Sequence, residues 1–259
     1  MRAQQFETLV AAARALAGET AGAGVAPGAG VSPGTGVAIG VRGPAGAGAR
    51  AGAGAGAGAG EFQATFPGGR RRRLLGIAGA PGAGKSTLAE RLVARLDGLA
   101  VLVPMDGFHL AGAELERLGR ADRKGAPDTF DAAGYAALLA RLRTPEPGTT
   151  VYAPAFDRSL EEPIEGSIPV APEVPLVITE GNYLLHDEGA WSAVLPLLDE
   201  AWYLHLPAGT RVPRLIERHI RFGKDRTHAE HWVHTSDEPN AHLITRGRNR
   251  AHRVITLDG

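Results

Sequence analysis

One eight-residue segment, 79–86, combines glycines with a lysine and a serine in a spacing suited to holding phosphate groups. It reads Gly-Ala-Pro-Gly-Ala-Gly-Lys-Ser and fits the pattern G-x-x-x-x-G-K-[ST] with no mismatch. Glycine lets backbone N–H groups turn inward around phosphate oxygens, where a side chain would obstruct them. We expect Lys85 to reach the β- and γ-phosphates of ATP and the Ser86 hydroxyl to hold Mg²⁺. The predicted cofactor-binding residues are Gly79, Ala80, Pro81, Gly82, Ala83, Gly84, Lys85, Ser86 and Thr87.

The alternative for this segment is a glycine-rich turn that happens to precede a lysine. An apolar run at 74–78 precedes the segment and a helical pattern follows it, and this is the context that a phosphate-binding loop, or P-loop, requires. The helix would also point its positive end at the bound anion. Kinases, ATPases and GTPases all use this loop, so it predicts nucleotide binding and leaves the reaction open.

A carboxylate, Asp106, directly follows the second apolar run of the chain, 99–103. The end of a parallel strand next to a P-loop is where an acceptor would dock. A carboxylate there can take the proton from an attacking hydroxyl group, or orient that group. The alternative is an aspartate that merely caps a turn before Gly107.

A second carboxylate, Glu180, ends the apolar run 174–179 and is followed by Gly181. Together with Ser86 it would form an oxygen-rich metal site suited to Mg²⁺. The alternative is a glutamate that caps a helix or forms an ion pair. The nine histidines have no zinc-binding spacing, and lone ones such as His205 fit structural roles better.

Several arginines cluster in a predicted helix at 208–222. Arg214, Arg218 and Arg221 are four and three residues apart, so they share one face. Such a face is usually solvated. In a P-loop protein the alternative is a lid that closes over ATP and sets positive charge against the transferring phosphoryl group.

Strands and helices alternate along the chain after residue 70. Apolar runs predict strands at 74–78, 99–103, 174–179, 201–206 and 253–257, and helical spacing predicts helices after the P-loop and at 113–118, 132–142 and 208–222. This order favours an α/β fold. We expect a P-loop NTPase three-layer sandwich with a mostly parallel sheet and a helical lid.

Three regions divide the chain. Residues 1–18 are predicted to contain an amphipathic helix that ends at Gly18, and residues 70–259 to form the P-loop domain. Between them, 19–69 is rich in Gly, Ala and Pro and offers little to bury, so we expect a disordered insert. A silk-like stacked sheet is the alternative for it. The basic tetrad 70–73 is interpreted as a solvated lead-in to the first strand, with a nucleic-acid patch as the alternative.

Composition excludes several classes of function. The 28 Lys and Arg residues balance 28 Asp and Glu residues, so no overall charge attracts nucleic acid. There is no cysteine, which excludes disulfides and thiol catalysis and fits a cytoplasmic protein. No apolar run approaches the length of a membrane helix, and no signal peptide is recognisable at the N-terminus. The expected partner is a small-molecule hydroxyl substrate, with no nucleic acid and no membrane, and a homodimer is left open.

Taken together, these motifs resemble the phosphoribulokinase and uridine kinase family of P-loop kinases, which includes bacterial-type pantothenate kinases. The chain is most similar to the bacterial branch of nucleoside/nucleotide kinase-like or fructose-transport-system kinase-like proteins, and the resemblance covers 70–257. Segment 105–109 is similar to the family segment that carries the catalytic base, which implies that role for Asp106. Segment 180–183 is similar to the family's Glu-Gly segment at the metal, and 218–222 resembles its lid helix. The implied catalytic residues are Lys85, Asp106, Arg218 and Arg221, and the implied metal ligands are Ser86 and Glu180.

The resemblance also implies an acceptor site. His109 lies where uridine kinases have a substrate-contacting tyrosine, and 123–131 is similar to a pantothenate kinase stretch that places Lys124 near the acceptor. Segment 152–158 resembles the uridine kinase loop that reads Pro-x-Tyr-Asp, with Phe156 in place of the tyrosine, so a phenolic hydroxyl group is missing. The C-terminal part resembles a segment that touches substrate and adenine in pantothenate kinases. The implied substrate-binding residues are His109, Lys124, Phe156, Asp157, Arg158 and Asn240.

The leading hypothesis is an ATP-dependent kinase that phosphorylates an alcohol group of a nucleoside, a sugar or a pantothenate-like acceptor. One alternative is a nucleotide-dependent switch that hydrolyses without an acceptor, although the chain lacks the Asn/Thr-Lys-x-Asp motif that reads guanine. Another is a degraded nucleotide-binding subunit, against which the intact Lys85, Ser86, Asp106 and Glu180 speak.

Overall fold

The computed structural model describes residues 1–18 and 71–257. The insert predicted at 19–69 therefore lies outside the described residues. The strands are β1 (Arg73–Ala78), β2 (Ala100–Leu102), β3 (Val151–Asp157), β4 (Glu162–Val170), β5 (Leu176–Gly181), β6 (Glu200–His205) and β7 (Arg253–Thr256). The helices are α1 (Ala3–Ala17), α2 (Lys85–Leu96), α3 (Gly112–Arg117), α4 (Ala132–Arg143), α5 (Ala208–Arg221), α6 (Arg226–Trp232) and α7 (Glu238–Arg246).

Five strands form one parallel sheet in the order β2-β5-β1-β6-β7. All six residues of β5 are buried, as are the last five residues of β1, because both faces of the sheet are covered. On one face α4 and the chain after β5 contribute Tyr135, Leu139 and Trp191 to the core. On the other face α1 and α2 contribute Leu9 and Leu92. The predicted three-layer α/β architecture is confirmed.

The parallel register brings the carboxyl ends of the strands to one edge of the sheet. Ala78, the last residue of β1, pairs with Gly181, the last residue of β5, and also with Tyr203 of β6. The P-loop, the segment after β2 and the segment after β5 all begin at this edge. An open α/β sheet binds its ligand there.

Two parts of the fold are not among the sequence predictions. β3 and β4 pair as an antiparallel hairpin, with a register shift between Ala153 and Ala155. Prolines at 154, 163 and 169 obscure the strand pattern, and a two-stranded sheet tolerates them because its edges are open. The second part is the helical stretch formed by α6, a π-helical segment (Val233–Asp237) and α7.

No helix among the described residues combines the length and the apolar character that a bilayer crossing requires.

The expectation that the basic tetrad is solvated is wrong for Arg72. Its side chain is completely buried, and its guanidinium group donates hydrogen bonds to the backbone carbonyls of Leu142, Ala171 and Val174 at 3.2, 2.6 and 2.9 Å. Burial lowers the pKa of Arg72 to about 10, so the group stays charged at neutral pH. Carbonyl acceptors compensate the cost of burying a charge. Arg72 thereby ties β1 to the end of α4 and to the turn before β5.

The neighbours of Arg72 behave differently. Arg71 and Arg73 are partly exposed, and each forms an ion pair of 2.8 Å with Asp199. Asp199 also accepts a hydrogen bond from the Leu74 N–H at 2.9 Å. Arg70 lies outside the described residues.

Arg72 offers a test of this packing. Arg72→Met should lower the free energy of unfolding by about 1–3 kcal/mol, because it leaves buried carbonyls without a donor. Arg73→Met is the matched control, and it should cost less than about 1 kcal/mol because it removes only a partly exposed ion pair. Urea unfolding measures both values. Equal losses of stability in the two variants would contradict the conclusion that Arg72 ties β1 to α4 and to the turn before β5.

Candidate functional site

The P-loop connects β1 to α2 and packs against β6. A Cβ atom built on Gly79 would lie 2.5 Å from the Leu204 carbonyl oxygen, so only glycine allows this close approach. Gly84 precedes α2 with φ of 92°, in the left-handed region that glycine adopts without strain. The loop therefore has the backbone conformation that the motif predicts. Thr87 follows in the first turn of α2, where it is exposed.

Lys85 is buried beside the loop that precedes it. Its ammonium group donates to the Ala80 carbonyl at 3.2 Å and to the Asn182 side-chain oxygen at 2.7 Å. Burial is the main cause that lowers the pKa of Lys85, and the negative charge of Glu180 opposes it. Asn182 is not among the predicted site residues. Its position two residues after Glu180 is the signal that could have identified it.

Glu180 and Ser86 form an oxygen pair next to Lys85. The Ser86 hydroxyl donates to the Glu180 carboxylate at 2.8 Å, and the Glu180 side chain is 4% exposed. Burial and then the charge of Asp106 raise the pKa of Glu180, against the effects of Lys85 and of the Ser86 hydrogen bond. No group of three or more His, Cys, Asp or Glu suited to a metal occurs among the residues described. Two hard oxygen ligands beside a phosphate loop fit Mg²⁺, which keeps waters and binds phosphate oxygens.

Asp106 lies in a short 3₁₀ segment, Met105–Phe108, directly after β2. Two glycines allow this segment to pack closely. A Cβ atom on Gly107 would clash with the Pro154 carbonyl oxygen of the hairpin, and one on Gly181 would lie 2.5 Å from the Met105 side chain. The segment that carries Asp106 thus packs against both β5 and the β3–β4 hairpin.

The predicted acceptor residues His109 and Phe156 form an aromatic group with Phe130. The His109 ring stacks on Phe130 with 3.9 Å between centroids, and its centroid lies 4.9 Å from that of Phe156. Burial is the main cause that lowers the pKa of His109 to about 4, so the ring is neutral at neutral pH. Within the described part of the chain, its Nδ1 atom is buried and has no hydrogen-bond partner. This atom could therefore pair with a polar group of a ligand.

Two cationic side chains lie beside this aromatic group. The Lys124 ammonium is 5.2 Å from the centre of the Phe156 ring and donates to the Glu161 carbonyl at 2.5 Å. The Arg158 guanidinium donates to the Asp106 carboxylate at 3.1 Å. The positive charges of Lys124 and Arg158 both act on the His109 ring, so the structure brings these predicted residues together.

Two other predicted acceptor residues have structural contacts. The Asp157 carboxylate accepts from the Ser159 N–H at 2.8 Å and from the Ser159 hydroxyl at 2.6 Å, which forms the hairpin turn. Asn240 is buried in α7, and its amide lies 3.4 Å from the Gly125 carbonyl. That carbonyl also accepts from the Tyr183 hydroxyl at 2.6 Å. Asn240 therefore borders the loop that carries Lys124.

The arginines of α5 have different environments. Arg218 is exposed, but surrounding protein atoms partly desolvate its guanidinium group; this desolvation, followed by the positive charge of Arg158, lowers the pKa of Arg218. The carboxylates of Asp106, Glu180 and Asp237 oppose that shift. Arg218 therefore lies within the charge cluster of the site. Arg214 and Arg221 are exposed like Arg218.

Arg211 is a site residue that the sequence reasoning missed. The residue is 4% exposed, and its side chain donates to the Pro81 carbonyl of the P-loop at 3.1 Å and to Glu238 of α7 at 2.6 Å. It lies seven residues before Arg218, a spacing that puts both on one helical face and could have identified it. A cavity of about 140 Å³ adjoins it. The cavity is lined by residues that include Ala80, His205, Arg211, Glu238, His242 and Thr245.

Comparison with known proteins gives several close relatives. A protein of *Schizosaccharomyces pombe* named as a uridine kinase is 35% identical over 170 residues, which cover 62% of this chain and 72% of the relative. The ATP-dependent kinase-like protein notR′ of *Aspergillus versicolor* is 34% identical over 159 residues, covering 58% of this chain and 92% of the relative. No protein-family model matches the chain.

Among solved structures, a protein named as a fructose transport system kinase, from *Silicibacter* sp. TM1040, superimposes with a TM-score of 0.67. The two sequences are 38% identical, and the alignment covers 73% of this chain and 92% of that chain. The solved structure thus shares the fold of this chain as well as part of its sequence.

The close packing around Asp106 can be tested through Gly107. Gly107→Ala should lower the free energy of unfolding by about 1–3 kcal/mol, because its Cβ would meet the Pro154 backbone. Gly209→Ala in α5 is the matched control. It adds a Cβ in open space within a helix, so it should leave stability unchanged or raise it by up to about 1 kcal/mol. A Gly107 variant as stable as its control would contradict this packing.

The raised pKa of Glu180 predicts how Mg²⁺ binding depends on pH. Protons should compete with Mg²⁺ for this carboxylate at higher pH than for an exposed one, so Mg²⁺-dependent ATP binding should weaken as the pH falls toward the raised pKa of Glu180. Calorimetry measures this dependence. In Glu180→Gln the nucleotide phosphates still titrate, but residue 180 no longer does. Mg²⁺-dependent ATP binding by this variant should therefore depend less on pH. The same dependence in both proteins would exclude Glu180 as a metal ligand.

Proposed function

Because this chain belongs to the uridine kinase and phosphoribulokinase family of P-loop kinases, we propose that it transfers the γ-phosphoryl group of ATP to an alcohol group of a nucleoside, sugar or pantothenate-like acceptor beside Asp106. One observation carries this proposal. The Asp106 carboxylate lies close enough to the Lys85–Glu180 cluster for its charge to act on both, yet it is 29% exposed toward the cleft. A carboxylate in this position can lie near both the γ-phosphate of ATP and the hydroxyl group of the acceptor.

In the proposed reaction Asp106 accepts the proton of the acceptor hydroxyl. The hydroxyl oxygen forms a bond to the γ-phosphorus while the bond from that phosphorus to the bridging β–γ oxygen breaks, which yields ADP and a phosphorylated acceptor. Lys85 and Arg218 provide positive charge toward the transferring group. Ser86 and Glu180 would hold Mg²⁺, which neutralises phosphate charge when it is bound.

We assign the nucleotide base to the cavity next to the P-loop. Ala80 connects this cavity to the phosphate loop, and Arg211 and Glu238 form an ion pair in its wall. The Arg211 contact with the Pro81 carbonyl links the wall to the loop. A nucleotide with its phosphates on the loop could therefore extend its base into this cavity.

The acceptor is proposed as a class of molecules with an alcohol group. The named relatives differ in the acceptor that their names indicate, since one is named for uridine and another for fructose transport. In this chain Phe156 has no hydroxyl group where the resembling uridine kinase loop has a tyrosine. This difference argues against direct transfer of uridine recognition to this protein.

The role of Asp106 can be tested by Asp106→Asn. The variant should lose about 10²–10⁴-fold in acceptor-dependent turnover, because an amide cannot accept the proton, while Mg-ATP affinity stays near the wild-type value. Turnover is measured with ATP against pantothenate, uridine, cytidine, fructose, ribulose 5-phosphate and glycerate. Binding is measured by calorimetry.

Asp122→Asn is the matched control for this test. Asp122 is 80% exposed and pairs only at 3.5 Å with Arg123 among the contacts described, so its loss should not change turnover. An unaffected rate in Asp106→Asn would exclude Asp106 as the base. ATP hydrolysis that no acceptor stimulates would instead support a hydrolytic switch.

A further inference from the structure

Arg158 is the cation nearest to the proposed base in the described structure. It is the first residue after β3, in the turn of the hairpin, and its guanidinium donates to one oxygen of the Asp106 carboxylate at 3.1 Å. The side chains are 42% and 29% exposed. A partly exposed pair of this kind contributes only about 0–1 kcal/mol, so Arg158 can exchange partners at little cost.

The contact opposes the proposed role of Asp106. The guanidinium occupies one of the two carboxylate oxygens that could accept the hydroxyl proton. An acceptor hydroxyl that donates to Asp106 must also share this carboxylate with Arg158. Both oxygens of the Asp106 carboxylate become available to the hydroxyl group when Arg158 moves to another anion.

The surroundings of Arg158 indicate where that anion would lie. The charges of Arg158 and Lys124 both act on the His109 ring, while Asp106 acts on it with the opposite sign. The Lys124 ammonium is held near the face of the Phe156 ring by its bond to the Glu161 carbonyl. A small ligand over this aromatic group would thus have the base on one side and two cations within reach.

Resting on the function proposed above, we propose that the acceptor carries an anionic group, a carboxylate or a phosphate, and that Arg158 leaves Asp106 to bind this group when the acceptor hydroxyl reaches the base. A guanidinium fits both anions, because its planar fork donates two parallel hydrogen bonds. Lys124 supplies a second positive charge to the same group. Arg158 is then the residue that determines acceptor specificity, since a neutral acceptor leaves it on Asp106.

The test uses pairs of acceptors that differ in the anionic group. Glycerate is compared with glycerol for a carboxylate, and ribulose 5-phosphate with ribulose for a phosphate. The anionic member of at least one pair should have a kcat/KM higher by about tenfold or more, since a hydrogen bond to a charged group is worth at least that factor. The pair that shows the preference identifies the anion.

Variants distinguish the role of Arg158 in binding the anionic group from general effects of a mutation on activity. Arg158→Gln should raise the KM for the anionic acceptor by about tenfold or more and reduce the preference within the pair, and Arg158→Lys should restore part of it. Arg117→Gln is the matched control. It removes an arginine–glutamate pair on the surface of α3, and it should leave the preference intact.

The possible failures are distinguishable. If neutral members are turned over as well as their anionic counterparts, and if Asp106→Asn abolishes that turnover, the inference is overturned and the proposed function stands. The inference is also overturned if Arg158→Gln lowers the turnover of both members equally. If no acceptor is turned over while Mg-ATP binds normally, both the proposed function and this inference fail.

Discussion

Two side chains of opposite charge, Lys85 and Glu180, lie buried at the carboxyl edge of the sheet, and the arrangement of the site follows from satisfying them. Burying either charge alone would be very unfavourable. Asn182 and the Ala80 carbonyl accept from Lys85, and Ser86 donates to Glu180. The parallel register of β1 and β5 makes this possible, because it aligns the start of the P-loop with the end of β5. The loop, the lysine and the carboxylate therefore depend on one strand pairing.

The two sides of the cleft differ in how strongly the fold constrains them. On the phosphate side Lys85, Glu180 and Arg211 are buried and hydrogen-bonded. On the side that we propose for the acceptor, Arg158 and Lys124 are held by partly exposed contacts. Buried networks tolerate little change, whereas exposed contacts are exchanged at low cost. This contrast fits a family whose members share a phosphate site and bear names that indicate different acceptors.

Local patterns predicted the parts of the fold that depend on neighbours in sequence. The P-loop, the buried strands β1 and β5, and the α/β class could be derived from spacing and apolar runs. The contacts of Arg72 and Arg211 could not be assigned in this way, because they depend on carbonyls 70 to 130 residues away. Helical spacing indicates only that Arg211 shares a face with Arg218. The contact of Asp106 with Arg158 likewise spans 52 residues. Its presence follows from the packing of the hairpin against the segment after β2, which no local pattern encodes.

The hairpin explains why the acceptor is harder to derive than the nucleotide. A P-loop recognises phosphate with backbone N–H groups, so its sequence is constrained by conformation and carries its own signature. For the proposed acceptor site the β3–β4 hairpin provides the side chains of Phe156 and Arg158, and their position depends on the approach of Pro154 to Gly107. The side chain at 156 or 158 can change without altering the approach of Pro154 to Gly107. Acceptor specificity can therefore diverge in the hairpin while the fold and the phosphate site stay the same.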